Sequence, residues 1–78
     1  MGYNFSGLES YRHESSKVLV AYEDSARKGW AICKLEDRKW GVYNLTDGVM
    51  HRVVRNSFEI NRLDVVIHTQ PIWHRPTT

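Results

Sequence analysis

Cysteine occurs once in this chain, at Cys33, so no internal disulfide can staple the fold and no cysteine-rich zinc site can form. No apolar run approaches the roughly 18 residues that a membrane-crossing helix requires. The N-terminal residues, Met1-Gly-Tyr-Asn-Phe-Ser-Gly7, contain no basic stretch leading into an apolar one, which argues against a secretory signal. A lone thiol without a leader fits a cytoplasmic, reducing setting. There is no glycine-rich phosphate loop, no His-Glu-x-x-His and no EF-hand spacing. Proline appears only at Pro71 and Pro76, and lysine stops at Lys39. With 78 residues, a second hydrophobic core could not be filled, so one small domain spanning 1–78 is expected.

What the chain has is β-branched and aromatic residues in short runs. Val18 to Tyr22, Trp30 to Leu35, Trp40 to Leu45 and Val49 to Arg55 are four such runs, separated by charged or glycine-containing breaks. This is the pattern of a small antiparallel sheet. Strict alternation puts Val18, Val20 and Tyr22 on one face of the first strand and Leu19 and Ala21 on the other. In the second, Trp30, Ile32 and Lys34 oppose Ala31, Cys33 and Leu35. In the third, Trp40, Val42 and Asn44 oppose Gly41, Tyr43 and Leu45. In the fourth, Val49, His51 and Val53 oppose Met50, Arg52 and Val54. Glu36 to Lys39 reads as a tight charged turn, and Asp47-Gly48 as a type I′ turn, since both residues tolerate positive φ. None of the first three strands has a clean polar face. The sheet is therefore expected to curl strongly or to be covered on both sides, whether by the N-terminal arm, the tail or a partner.

Asn56 with Glu59 three residues on has the form of a capping box, which predicts one helical turn before a fifth strand at 63–69. The expectation is all-β: a strongly curved, five-stranded antiparallel sheet over 17–69. Hairpins, one helical turn and a closing strand also make up the layout of SH3-like barrels, a likeness of order without a family motif. The arm, 1–16, has one capped turn at Ser6-Gly-Leu-Glu9, with Ser6 as N-cap. The tail, 70–78, is predicted to be an extended arm because its prolines oppose a regular element.

Charge is unevenly distributed. Residues 1–49 carry seven Lys or Arg and seven Asp or Glu, while 50–78 carry four Arg against Glu59 and Asp64. That excess leans towards an acidic partner. Arg52, Arg55 and Arg62, with Trp73 as an anchor on a loosely held tail, are the candidate partner-binding residues. A second set places basic pairs beside tryptophans: Arg27-Lys28-Gly-Trp30 and Arg38-Lys39-Trp40, with Tyr43 following. Lys28, Trp30, Arg38, Lys39, Trp40 and Tyr43 would suit single-stranded nucleic acid, with bases on the rings and phosphates on the cations. Glu36 and Asp37 beside the same surface would repel phosphate.

Cys33 lies mid-strand and reads as a buried structural thiol. His13, His51, His68 and His74 lack metal-ligand spacing. No catalytic, metal or cofactor site is expected. The favoured function is a small non-catalytic protein-binding module, an adaptor or an inhibitor that docks on a larger protein and regulates it. RNA or single-stranded nucleic-acid binding is the alternative, and homodimer formation a third reading.

Overall fold

The hairpin made by Trp30–Leu35 (β3) and Trp40–Asn44 (β4) is the centre of the sheet, and both of its faces are buried. The computed structural model describes residues 2–77. Met1 and Thr78, the outermost residues of the expected arm and tail, lie outside the described residues. Before the hairpin come a one-turn helix, Ser6–Ser10 (α1), a two-residue strand, Arg12–His13 (β1), and the long strand Ser16–Asp24 (β2). After it come Val49–Val54 (β5), a second one-turn helix, Ser57–Asn61 (α2), and the final strand Ile67–His74 (β6). All pairings are antiparallel in the order β1-β2-β3-β4-β5, with β6 also on β2. β5 and β6 do not pair, so this is an open, curved sheet and the barrel is not closed.

Two apolar clusters lie on opposite faces, as the lack of a polar face in the sequence required. On one, Ala31, Cys33, Leu35, Tyr43 and Leu45 pack with Val18, Ala21 and Leu8 of α1. On the other, Ile32 and Val42 pack with Val54 and with Ile60 of α2. The N-terminal segment thus covers the first face. The return from β5 to β6 covers the second, and both are parts of the domain itself.

Alternation holds through β3 and β4 and fails in the strands beside them, each time at a register shift. β2 shifts between Val18 and Val20, so Val18 and Ala21 enter the same cluster and Val20 and Tyr22 do not accompany Val18. β5 shifts at His51, where Val42 pairs with Arg52 but Tyr43 pairs with Met50. Met50 therefore packs on the α1 face while Val54 packs on the α2 face. An extra residue in one strand reverses the facing of everything beyond it.

The turns differ from expectation in the same local way. Only Gly48 takes positive φ at the Asp47-Gly48 site (+69°), within a four-residue loop rather than a type I′ turn. Asn44 holds that loop: its Oδ1 accepts from the N–H groups of Thr46 and Asp47, each at 2.9 Å. Type I′ geometry occurs instead at Asp37 (φ 61°, ψ 29°) and Arg38 (φ 65°), where Lys39 N–H donates to the Glu36 carbonyl at 3.3 Å. Glu14 and Ser15, between β1 and β2, also have positive φ.

At the helices, Asn56 Oδ1 accepts from Glu59 N–H at 2.9 Å, as the capping pattern implied. Ser6 is not the cap of α1. Phe5 holds that position, and Asn4 Oδ1 accepts from the Ser6 N–H at 3.1 Å and from its hydroxyl at 2.7 Å.

The predicted loose tail is largely a strand. β6 starts at Ile67, later than the expected 63, and continues through Pro71 to His74 against β2. Pro71 is tolerated because β6 is an edge strand, where a missing N–H can face away from the ladder. Arg75 then fastens the end: its N–H donates to Leu19 O at 2.9 Å, Nε to Val18 O at 2.6 Å and Nη2 to Glu9 O at 3.2 Å.

Candidate functional site

A cleft of about 530 Å³ opens on the α2 face, next to the Ile32–Val42 cluster. Trp30 starts β3 here, half-buried against that cluster, with Val42, Leu63 and Val65 as apolar lining. His51 and Arg52 reach the same cleft from β5. They are neighbours in sequence, and a regular strand would send them to opposite faces. The bulge at His51 is what brings both to one side. Arg27 comes from the loop after β2, and Arg62 and Asp64 from the segment after α2.

Each cationic group is held differently. The Arg27 guanidinium lies 4.7 Å from the Trp30 ring centre, while its Nε donates to Asp24 Oδ2 at 3.3 Å. Asp24 is fully buried, and its Oδ1 accepts from the N–H groups of Ala26 (2.9 Å) and Val66 (3.0 Å). Burial pushes the Asp24 carboxyl up, but these backbone donors and Arg27 outweigh it and hold the group below its ordinary value. One carboxylate thus fixes Arg27, the β2–β3 loop and the segment leading to β6. The His51 ring packs edge-on against Trp30, with centroids 5.1 Å apart, and its Nε2 is 2.9 Å from Asp47 Oδ2. Arg52 and Arg62 make no ion pair among the described residues. Arg62 instead lies over Phe58, 5.5 Å from its ring centre. Phe58 projects from α2 at 67% exposure, the most exposed of the large apolar side chains among the described residues. The site therefore has two guanidinium groups outside any ion pair among the described residues, an indole braced on two sides and an apolar lining.

The two candidate sets of residues are both divided by the fold. Of the partner-binding set, Arg52 and Arg62 share the cleft. Arg55 pairs with Glu59 at 2.7 Å, a contact that holds Glu59 below the usual carboxylate range. Trp73 is in β6 opposite Ala21 and packs, partly buried, on the α1-face cluster, so it is no loosely held anchor.

In the nucleic-acid set, Trp30 pairs with Asn44 and Trp40 with Lys34, four residue steps or about 14 Å apart. Two strand starts in an antiparallel hairpin lie at opposite ends, so the two tryptophans make no single stacking platform. Trp40 lines a second, smaller cleft of about 330 Å³ with Lys34, Arg38, Asn56 and Ser57. Lys28 is exposed beside Gly29. Lys39 is bound to Glu14 at 3.1 Å with its side chain only 18% exposed. Tyr43 is buried in the α1-face core, where its ring cannot stack on a base, and its hydroxyl donates to Asn4 O at 2.8 Å.

Arg27, His51 and Asp64 belong to the cleft but are not among the candidate site residues read from the sequence, although Arg27 stands in the basic pair before Trp30. The Arg27-x-x-Trp30 spacing was a usable signal. The contribution of His51 depends on a bulge with no evident sequence mark.

Cys33 is fully buried, and burial pushes its thiol up to about 12, so at neutral pH it is no nucleophile. Among the described residues no three His, Cys, Asp or Glu side chains are grouped as metal ligands, and no helix is long and apolar enough to cross a membrane. No family model matches the chain, and no curated protein or solved structure shows significant similarity to it.

Proposed function

We propose that this protein is a small non-catalytic binding module that takes an acidic segment of a larger protein into the Trp30 cleft. One observation carries the reading: Arg52 and Arg62, two guanidinium groups without ion-pair partners among the described residues, flank an apolar lining beside a half-buried tryptophan. Carboxylates of the partner would meet the arginines, and an apolar or aromatic neighbour would pack on Trp30, Leu63 and Val65. Exposed Phe58 extends the same contact surface beyond Arg62. A protein segment suits this surface better than a nucleic-acid strand: with Asp64 in the cleft and Asp24 and Asp47 behind Arg27 and His51, it can take a few carboxylates set on Arg52 and Arg62 with apolar residues between them, but not a charge at every backbone unit. We read its role as regulatory, that of a cytoplasmic adaptor or inhibitor, on the strength of this binding surface.

The test is fluorescence anisotropy with labelled peptides combining glutamate with leucine and phenylalanine. The same peptides with lysine for glutamate, and an oligothymidylate, serve as comparisons. Acidic peptides should bind, with affinity falling as salt rises, and R52E/R62E should abolish that binding while leaving the melting curve in place. Binding of the oligonucleotide alone, steeply weakened by salt, would transfer the site to single-stranded nucleic acid.

A further inference from the structure

The outer edge of β5 has no strand beside it among the described residues, since β5 pairs only with β4. The other end of the sheet is shared by the two-residue β1 and by β6, which contains Pro71 and is interrupted by two register shifts against β2. β5 has one irregularity, at His51, and is the more regular of the two edges. Beyond its ladder with β4, Met50 to Val54 make no backbone-to-backbone hydrogen bond among the described residues. Such an edge is a template for a further strand, and proteins guard it with charge and bulges. β5 carries both guards, Arg52 and the bulge at His51. These guards also act on the choice of partner. A second copy of this chain pairing antiparallel through the middle of β5 would bring the two Arg52 guanidinium groups near one another, like charge near like. An acidic strand would meet the opposite charge.

His51 and Arg52 belong at once to this edge and to the cleft. A strand laid along β5 would direct every second side chain to the α2 face, where the cleft lies. We propose that the acidic partner segment binds in extended form, as an added strand on the free edge of β5. Its backbone bonds to β5 and its carboxylates turn towards Arg52 and Arg62. The proposal rests on the reading of the cleft as the site for an acidic segment.

The test is amide hydrogen exchange by NMR on the full chain. The probe is an acetylated, amidated peptide of about eight residues that alternates glutamate with valine and threonine. The β5 amides that exchange fast in the free protein should slow by about tenfold or more when it binds. N-methylation of one alternate set of peptide amides should abolish binding, while methylation of the other set should not. If the peptide binds and R52E/R62E releases it, but the β5 amides are unchanged, strand addition is overturned while the cleft reading stands. Binding indifferent to R52E/R62E, or no binding at millimolar peptide, overturns both. Protection of β5 that grows with protein concentration in the absence of peptide would give the edge to a second copy and overturn the proposal.

Discussion

The Tyr43 hydroxyl donates to the carbonyl of Asn4 at 2.8 Å, joining the buried middle of the sheet to a segment 39 residues earlier in the chain. The contact belongs to a lock. Asn4 N–H donates to Leu45 O at 2.9 Å, and Gly7 passes so close that a Cβ there would meet Gly48 O at 2.6 Å. The segment from Tyr3 to Tyr11 is thus seated on the loop between β4 and β5, with Leu8 fully buried beneath it. Tyr43→Phe should cost about 1 kcal/mol, because it removes one hydrogen bond and leaves the Asn4 carbonyl short of a partner. Leu8→Ala should cost about 2–5 kcal/mol, a large part of what a domain this small can hold. Urea unfolding of both variants checks the pair. A Leu8→Ala variant as stable as the parent would show that the segment is not part of the core.

Gly48 supports the same lock from the other side. It combines a φ of +69° with a Cβ position 2.6 Å from Asn4 Nδ2. Gly48→Val should cost more than the roughly 1–2 kcal/mol of left-handed strain alone, since it also displaces Asn4. Gly48→Ala, also urea-melted, should fall between the parent and valine.

Asp24 predicts an acid limb of the stability curve. Its folded-state carboxyl is held below the unfolded value of 3.8. Its contribution is therefore fully present above that value and is lost as pH falls through the lower, folded one. Asp24→Asn keeps an oxygen for the Ala26 or Val66 N–H and removes the charge that holds Arg27. The variant should be less stable at neutral pH by about 1–3 kcal/mol, and the difference from the parent should shrink as pH drops below about 4. Denaturant midpoints from about pH 6 to 2 measure this. A gap that stays constant over that range would mean the carboxylate charge is not what matters.

How much of this was legible follows the strands one by one. The facings of β3 and β4 could be read directly, since an unbroken ladder keeps its period of two. Those of Val20, Tyr22 and Met50 could not, because one extra residue at a bulge changes no composition. The capping pattern at Asn56 located α2 because its signal is local and geometric. Trp73 was misplaced because Pro71 was weighed as a breaker, whereas at a sheet edge a missing N–H has nothing to break. The cleft could be read only in part: Arg52, Arg62 and Trp30 stood out as residue types, but their meeting depends on the crossing from β5 to β6.

Arg38 offers a stabilising change. It is an exposed, non-glycine residue at φ 65°, in the second central position of a type I′ turn. Arg38→Gly converts the turn to Asp-Gly, a preferred pair for this geometry, and leaves the Ser16 Oγ–Asp37 Oδ2 bond of 2.9 Å intact. Relief of left-handed strain, less the added freedom of glycine in the unfolded chain, should give a gain of about 0.5 kcal/mol. A lower melting temperature would mean that the arginine makes contacts worth more than the strain.

Trp73 and Phe58 make opposite predictions from the same kind of side chain. Trp73 is bound into β6 and packs on Ala21 and its neighbours, while Arg75 holds the chain just beyond it. Trp73→Ala should therefore cost about 2–4 kcal/mol, and deletion of 71–78 more, because it also removes the ladder to β2. Phe58 is largely exposed, with Arg62 over its ring, and Phe58→Ala should stay within about 0.5 kcal/mol of the parent. Its effect belongs to binding. With an acidic-aromatic peptide as ligand, Phe58→Ala should raise Kd about tenfold, mostly by faster dissociation, since the ring adds contact area and no steering charge. Arg52→Ala, which weakens the charge without reversing it, should act earlier, slowing association in a salt-dependent way. Stopped-flow traces of the two variants at low and high salt separate these effects. If Phe58→Ala lowers stability while binding is untouched, α2 is structural and the contact surface ends at Arg62.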